Sequence, residues 1–531
     1  MDMEKSPLFV NLFLCVLFFL VGCSDEEEQN QEKPPGDAGA SEGGSDAGGQ
    51  TQVDALDFEW AKRAGGLSTD EEADRPWRMD VMEDGSFFVT GVFRDVATFG
   101  FGEKNRTEIA SAGGLDVFLA AYDADGELRW VVSAGGAGED SGYGVSCMQD
   151  GSCVITGEFT LSAVFGANGD NQTTLDTGGS GTGMFAAAYG PDGSLKWAKS
   201  ASSTEQAAGK GVALTDDGSV IVTGTYSGSA VFGPDADNET ALDSAGSTDI
   251  FVAAFDSDGA FMWAQGAGGS GDDAAEDITA TDDGRVIITG SIDTKAVFGT
   301  GEFDTPGDDG IFLASFSSGG QIEWVRTAGG PRNEYEYEGV NSGLAVTRAQ
   351  GGGVYVTGTF RDTAVFGEGE AHEAVLESET YGVSGMVVSD FFTARYDRDG
   401  NLEWARQGGG DEYDHARGIA AFNDGSVVIT GFYESHDICF EKGTSSEQCL
   451  SSILRGGSFI AKYSGEGAFE WAFRIAGADS LASQDIAVCK DRVLVSGRFW
   501  WNLIFGQDDA DRVSLSAKGS NDMFTAGYRL K

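Results

Sequence analysis

Tyr122-Asp123-Ala124-Asp125-Gly126-Glu127-Leu128-Arg129-Trp130 is the stretch on which the fold turns. It reads as the end of one strand, a tight turn and a second strand carrying a tryptophan. Asp and Gly supply the backbone conformations that so short a hairpin needs. The arrangement returns along the chain, with tryptophan at Trp60, Trp130, Trp197, Trp263, Trp324, Trp404 and Trp471. Between them recurs a Thr-Gly or Ser-Gly pair, at Thr90, Thr156, Thr223, Thr289, Thr357, Thr430 and Ser496. A Phe-Gly pair follows in six units, at Phe99, Phe165, Phe232, Phe298, Phe366 and Phe505. Self-similarity of this kind marks a repeat architecture and outranks any local reading.

Each unit holds four runs of strand-forming residues. In one copy these are Gly418 to Phe422, Ser426 to Gly431, Phe459 to Tyr463 and a run around Trp471. A long connection with an Ala-Val-Phe-Gly element joins the second and third runs. Large and small residues alternate in the last two, as in Phe251-Val252-Ala253, which suits sheets stacked face to face. The expected fold is all-β: a seven-bladed β-propeller with four main antiparallel strands per blade. The repeat region starts at a fourth-type strand, Phe58-Glu59-Trp60-Ala61, and ends at a third-type strand, Met523 to Tyr528. The N-terminal strand is thus expected to join the C-terminal blade and close the ring. Closure removes exposed sheet edges, whereas an open solenoid would need caps.

Gly268-Gly269-Ser270-Gly271-Asp272-Asp273, leading to Asp283-Gly284 and Val286-Ile287-Ile288-Thr289-Gly290, resembles the bacterial SBBP-type β-propeller repeat. Tyr122 to Trp130 matches the same pattern, and the resemblance covers about residues 57–531. It implies fold and export far more than activity. The Asp-x-Asp-Gly-x-Leu-x-Trp element is also similar to the tryptophan motif of quinoprotein propellers. The longer units, the seven-fold count and the Thr-Gly element depart from that group.

The chain of 531 residues has 80 glycines and 8 prolines, and 86 acidic against 34 basic residues, for a formal charge of −52. Phosphate recognition needs a basic footprint, so nucleic acid is excluded as a partner. The apolar run Leu8 to Val21 is broken by Asn11 and falls short of the ~20 residues of a comfortable membrane span. It ends in Leu20-Val21-Gly22-Cys23, which resembles the lipobox of bacterial lipoproteins, although Asp2 and Glu4 outweigh Lys5 in the preceding region. That resemblance implies a signal peptide over 1–22 and a lipidated, palmitate-bearing Cys23 at the mature terminus. Residues 23–56 read as a disordered acidic Gly/Ser-rich tether, and 57–531 as the propeller. Ser24 after the cysteine favours the outer membrane by lipoprotein sorting rules. The body would then face the periplasm or the cell surface, as a monomer held to the bilayer by its acyl anchor.

Candidate sites lie where the repeat breaks its own pattern. Trp500 and Trp501 stand where other units have Arg94-Asp95, Arg361-Asp362 or Glu434-Ser435, and two adjacent tryptophans can stack on a sugar or grip a partner. Tyr335 and Tyr337 lie in an extended connection, Pro331 to Gly343, on the same expected face. Acids follow the fourth strands at Glu139, Asp140, Asp272, Asp273, Glu334, Asp411 and Glu412. Converging near the channel mouth, they could hold a hard cation such as calcium; solvated loop charge is the plainer reading. Turns such as Asp123/Asp125, Asp256/Asp258 and Asp397/Asp399 lack the late acidic ligand of a calcium loop and read as hairpin chemistry. The repeated tryptophans read as blade packing. Cys147 and Cys153 flank a hairpin turn and Cys439 and Cys449 bracket a loop, so two disulfides are expected, with Cys489 left over.

The inventory for catalysis is poor. His372, His415 and His436 have no zinc-like spacing, and no nucleophile elbow or P-loop occurs. No catalytic residue, no metal centre and no cofactor other than that calcium is expected. The reading favours a non-catalytic binding or scaffold module of the bacterial envelope, with an envelope protein or a glycan as partner. The alternatives are an envelope enzyme acting on polysaccharide or using a quinone-type cofactor, and an envelope-assembly factor.

Overall fold

The structure is a computed structural model, which describes residues 55–531 apart from 71–72, 180, 235, 331–340, 382–385, 453–455, 476–480 and 507–511. Cys23 and nearly all of the tether lie outside the described residues. Among those described, every regular element is a β-strand, and no helix is long and apolar enough to cross a membrane.

Each repeat is a four-stranded antiparallel sheet. In the second, Ser141–Cys147, Cys153–Thr160, Thr182–Tyr189 and Leu195–Ser203 pair in chain order. In the seventh, Leu481–Cys489, Arg492–Phe499 and Asp522–Leu530 do the same. Leu56–Gly66 supplies the fourth strand there, antiparallel to Asp522–Leu530, with Phe58 opposite Tyr528 and Ala61 opposite Ala526. The first strands of the sheets stand side by side in chain order: Arg75–Val81, Ser141–Cys147, Gln206–Leu214, Ala274–Ala280, Ser342–Arg348, Asp414–Ala421 and Leu481–Cys489. The last of these packs beside the first. The result is a β-propeller-like repeat fold.

The repeated residues have specific jobs in it. The Thr90 hydroxyl donates to the Phe118 carbonyl at 2.8 Å, and Thr156, Thr223, Thr289, Thr357 and Thr430 do the same to the matching carbonyls. Such bonds tie the second strand to the third inside the core, where an unpaired hydroxyl would be costly. The glycine after each threonine makes room for the neighbouring strand: a Cβ on Gly157 would run into the Ser141 carbonyl, and one on Gly358 into the Ser342 carbonyl. The tryptophans join sheets. Trp130 Nε1 donates to the Pro191 carbonyl of the next unit at 2.9 Å, and Trp197 and Trp404 reach Ser257 and Gly465 at 3.0 Å. Apolar clusters likewise bridge neighbouring sheets; Val428, Ile460 and Trp471 of the sixth unit pack with Val495, Phe524 and Phe58 of the seventh. Each fully buried side chain of that size contributes about 1.5–3 kcal/mol.

The Ala-Val-Phe-Gly element forms a small hairpin that leans on the preceding unit. Ser162–Phe165 pairs with Thr173–Asp176 and also with the outer strand Leu128–Gly136, Gly135 lying opposite Val164. Its phenylalanine is buried: Phe165 packs on Phe185 at 4.9 Å and Phe232 on Phe251 at 5.0 Å. In the sixth unit Phe440 keeps that place, but Glu441 replaces the glycine and adopts φ 51°.

Candidate functional site

Every inner strand carries a β-bulge near its start, the register slipping between Pro76 and Arg78, Gly142 and Gly144, Gly209 and Gly211, Ala275 and Asp277, Gly343 and Ala345, Ala416 and Gly418, and Ser483 and Asp485. A bulge inserts one extra residue and re-aims its side chain. The seven inserted residues are Trp77, Tyr143, Lys210, Glu276, Leu344, Arg417 and Gln484. All seven, with Arg78, line one cavity of about 290 Å³. Deeper along the same strands, a second cavity of about 390 Å³ is lined by residues from all seven of them. The first cavity is thus the mouth of the space that the inner strands share, on the face where those strands begin. Positions that repeat build the bulge; the position that never repeats faces the cavity.

Arg78 forms the floor of the mouth. Its guanidinium donates to the Leu344 carbonyl at 2.7 Å and to the Arg417 carbonyl at 3.3 Å, and lies 3.7 Å from the Asp277 carboxylate. Burial works to lower its pKa, but the carboxylates of Asp277, Asp485 and Glu276 outweigh burial and raise it. Asp277 and Asp485 are anchored in turn by the Val346 amide at 2.9 Å and the Met79 amide at 2.8 Å. Burial pushes Asp485 up to about 7 in spite of Arg78. One arginine therefore links the first inner strand to the fourth, fifth and sixth.

The wall above the floor is aromatic on one side. The Arg75 guanidinium lies 3.7 Å from the centre of the Trp77 ring, and Tyr143 meets Trp77 edge-on at 5.4 Å. Lys210 Nζ sits 3.9 Å over the Tyr143 ring, while the Tyr143 hydroxyl donates to Glu158 at 2.6 Å. Across the cavity Arg417 lies over Phe432 at 5.2 Å and touches Gln484 Oε1 at 3.5 Å. Burial, then the nearby Arg498, lowers the Arg417 pKa to about 10, with Glu276 opposing. Arg417 Nε and Trp77 Nε1 are buried and have no hydrogen-bond partner among the described residues.

The residues singled out from sequence fall elsewhere. Trp501 is 77 % exposed and sits at φ 65°, in a corner that other units fill with Asp95, Leu161, Thr294 or Asp362, also at positive φ. Trp500 is half-buried, with the Arg498 guanidinium 5.0 Å from its ring. Both lie on the connection after the second strand of the seventh sheet, at the same end of the fold as the mouth. Tyr335, Tyr337 and Glu334 lie outside the described residues. The expected disulfides Cys147–Cys153 and Cys439–Cys449 are both formed, each between directly opposed strand positions, and Cys489 is free and half-buried. The Asp-x-Asp-Gly turns are hairpin chemistry: Asp123 Oδ1 accepts from the amides of Asp125 and Glu127, and Asp397 Oδ1 from those of Asp399 and Asn401.

Of the seven acids that could hold a cation, the six among the described residues do not line the mouth cavity. Glu139 is paired with Arg94 at 2.9 Å, Asp272 accepts from Thr248 at 2.8 Å, and Asp411 and Glu412 are partly exposed. Asp140 and Asp273 are buried between sheets, each opposite an aspartate of the previous unit, Asp116 and Asp249. Asp390 with Asp414 and Asp522 with Asp74 repeat this arrangement. At the other three interfaces the matching positions hold Gly183 with Ala207, Gly310 with Asn341, and Gly457 with Leu481. An aspartate on one side is therefore met by an aspartate on the other. Backbone amides hold them: Gly136 donates to Asp140 at 2.7 Å and Ala112 to Asp116 at 2.8 Å. Burial raises Asp116 to about 7, Asp140 to about 6, Asp390 to about 9 and Asp414 to about 7.

The mouth residues were missed in the sequence. The signal was there: the residue directly after the small residue near each inner strand's start differs from unit to unit, yet disagreement among repeats stands out less than agreement.

No family model matches the chain. It is similar to an uncharacterized WD repeat-containing protein of Acanthamoeba polyphaga mimivirus, 21% identical over 450 residues. That match takes in 75% of this chain and 32% of the viral protein, so the chain spans about a third of its relative's length. Among solved structures, a protein of unknown function from Bacteroides caccae aligns over 68% of this chain and 92% of its own, at 10% identity and a TM-score of 0.27. A GH43_12 protein from capybara gut metagenome aligns over 90% and 99% at 8% identity and a TM-score of 0.22. The Bacillus licheniformis rhamnogalacturonan lyase PL11 aligns over 83% and 91% at 11% identity and a TM-score of 0.23.

Proposed function

We propose that the chain is an exported, lipid-anchored SBBP-type propeller, closed into a ring of seven blades, that binds a small ligand at its channel mouth without transforming it. The observation that carries this reading is the ring of seven bulged residues. A scaffold built from copies has no need for Trp77, Tyr143, Lys210, Glu276, Leu344, Arg417 and Gln484 to differ at one equivalent position and to meet in one cavity. Binding sites are concave and combine apolar walls with a few convergent polar groups, and this cavity has both. The lipid anchor rests on Leu20-Val21-Gly22-Cys23 and the acidic tether behind it. Such an anchor would hold the module at the outer membrane, where an envelope glycan or protein component is the natural source of ligand.

Two measurements test the two halves of the proposal. Palmitate labelling of the wild type, lost in Cys23→Ala, is the expected result for the anchor; equal labelling of both contradicts it. A thermal-shift screen of envelope sugars and sugar acids should yield stabilising compounds whose effect disappears in Trp77→Ala. Compounds that stabilise both proteins equally contradict a site at the mouth.

A further inference from the structure

We infer that the mouth binds a hydroxylated carboxylate about the size of a single sugar acid, its carboxylate held by Arg417. The inference deepens the binding-module reading and rests on it. Charge is the first argument. A chain of net charge −52 gathers Arg78, Lys210 and Arg417 around one cavity, with Glu276 as the one acid among the lining residues. Random surface composition in so acidic a protein would favour the reverse.

The state of Arg417 is the second. Arg78 spends its guanidinium on two carbonyls and Asp277, and so belongs to the framework. Arg417 has no carboxylate within ion-pair distance among the described residues, and its Nε is buried without a partner. A guanidinium is planar, always charged and matched to two carboxylate oxygens at once. Holding one in a half-enclosed cavity, crowded by Arg498 and Arg78, is unfavourable unless an anion joins it. Lys210 Nζ is held over Tyr143 rather than against an acid.

Glu276 and Gln484 define the rest of the ligand. A carboxylate acceptor and an amide from separate strands around the same space suit hydroxyl groups, and the Trp77–Tyr143 pair gives an apolar surface for a ring face. The volume, about 290 Å³, is at the small end of ligand pockets, and the Arg78 crossbar closes its floor.

The test is calorimetric titration of the purified full-length chain with galacturonate and with galactose, which lacks the carboxylate, at low salt. The expected result is measurable galacturonate binding and at least about tenfold weaker galactose binding, the scale of a hydrogen-bonded charge. Arg417→Gln, folded as judged by an unchanged melting temperature, should weaken galacturonate by about tenfold and leave galactose unaffected. Equal affinity for both sugars, with both lost in Trp77→Ala, overturns the ligand class and leaves the mouth as the site. Binding indifferent to Arg417→Gln and Trp77→Ala overturns both the ligand class and the site. No binding of either sugar at about 20 mM overturns the ligand class alone.

Discussion

The indole of Trp60 lies across the turn at Gly126, so close that a Cβ on that glycine would stand 2.7 Å from the ring. Trp60 belongs to the strand that completes the seventh sheet, and Gly126 to the turn between the third and fourth strands of the first. The same contact joins Trp130 to Gly193, Trp197 to Gly259 and Trp404 to Gly467 between consecutive units. Gly126 is at φ 74°, a conformation that costs any other residue. Gly126→Ala should therefore destabilise the chain by about 1–3 kcal/mol in denaturant unfolding. Deleting 57–66 should lower the melting temperature far more than deleting 24–50, and equal effects would contradict closure by this strand.

The buried aspartate pairs set the pH dependence. Asp116, Asp140, Asp390 and Asp414 are all raised above ordinary carboxylate values by burial. A raised acid binds protons in the folded state that it releases on unfolding. Its contribution is whole below about pH 4 and fades as pH rises through the folded values of about 6 to 9. The melting temperature should fall between pH 5 and pH 9. Asp390→Asn, which cannot ionise, should flatten that slope and raise the melting temperature at pH 8 by about 1–3 °C. An unchanged slope in the variant sinks this assignment.

In the sixth unit a disulfide stands beside the place where a glycine is lost. Cys439–Cys449 clasps the small hairpin whose corner, Glu441, holds φ 51°. Removing it with Cys439→Ser/Cys449→Ser should cost about 2–3 kcal/mol through the unfolded chain. Alkylation without reductant should label Cys489 and spare Cys147, Cys153, Cys439 and Cys449. Label on all five would refute both bridges.

Trp501 is exposed and in a left-handed corner, which no packing requirement explains. Trp501→Gly should stabilise the chain by about 0.5–1 kcal/mol, because glycine takes that conformation without strain. If Trp501 grips a partner, capture of that partner from membranes should fall in the same variant. A destabilised variant would show that the indole packs.

The fold was legible because its determinants repeat. Thr-Gly, Phe-Gly and Trp each answer a constraint met in nearly every unit: a core hydroxyl bond, a left-handed corner, a contact with the next turn. The strands followed, as did the pairing of the ends, since Phe58 opposite Tyr528 continues the same pattern; the first strand of the sixth unit, however, starts at Asp414 and not at Gly418. The mouth was not legible for the complementary reason. Its residues share a backbone position and no chemistry, and only the bulge geometry reveals that Trp77 and Arg417 face one space. Asp140 and Asp273 misled by composition: acids after a turn look solvated, and their partners Asp116 and Asp249 lie some two dozen residues away in a strand.

Binding by the divergent ring is the centre of this account, and crystals of the full chain soaked in galacturonate test it most directly. The predicted result is difference density in the mouth, with a carboxylate against Arg417 and a ring face towards Trp77 and Tyr143. Ordered sugar elsewhere on the chain, with the mouth empty, would contradict it.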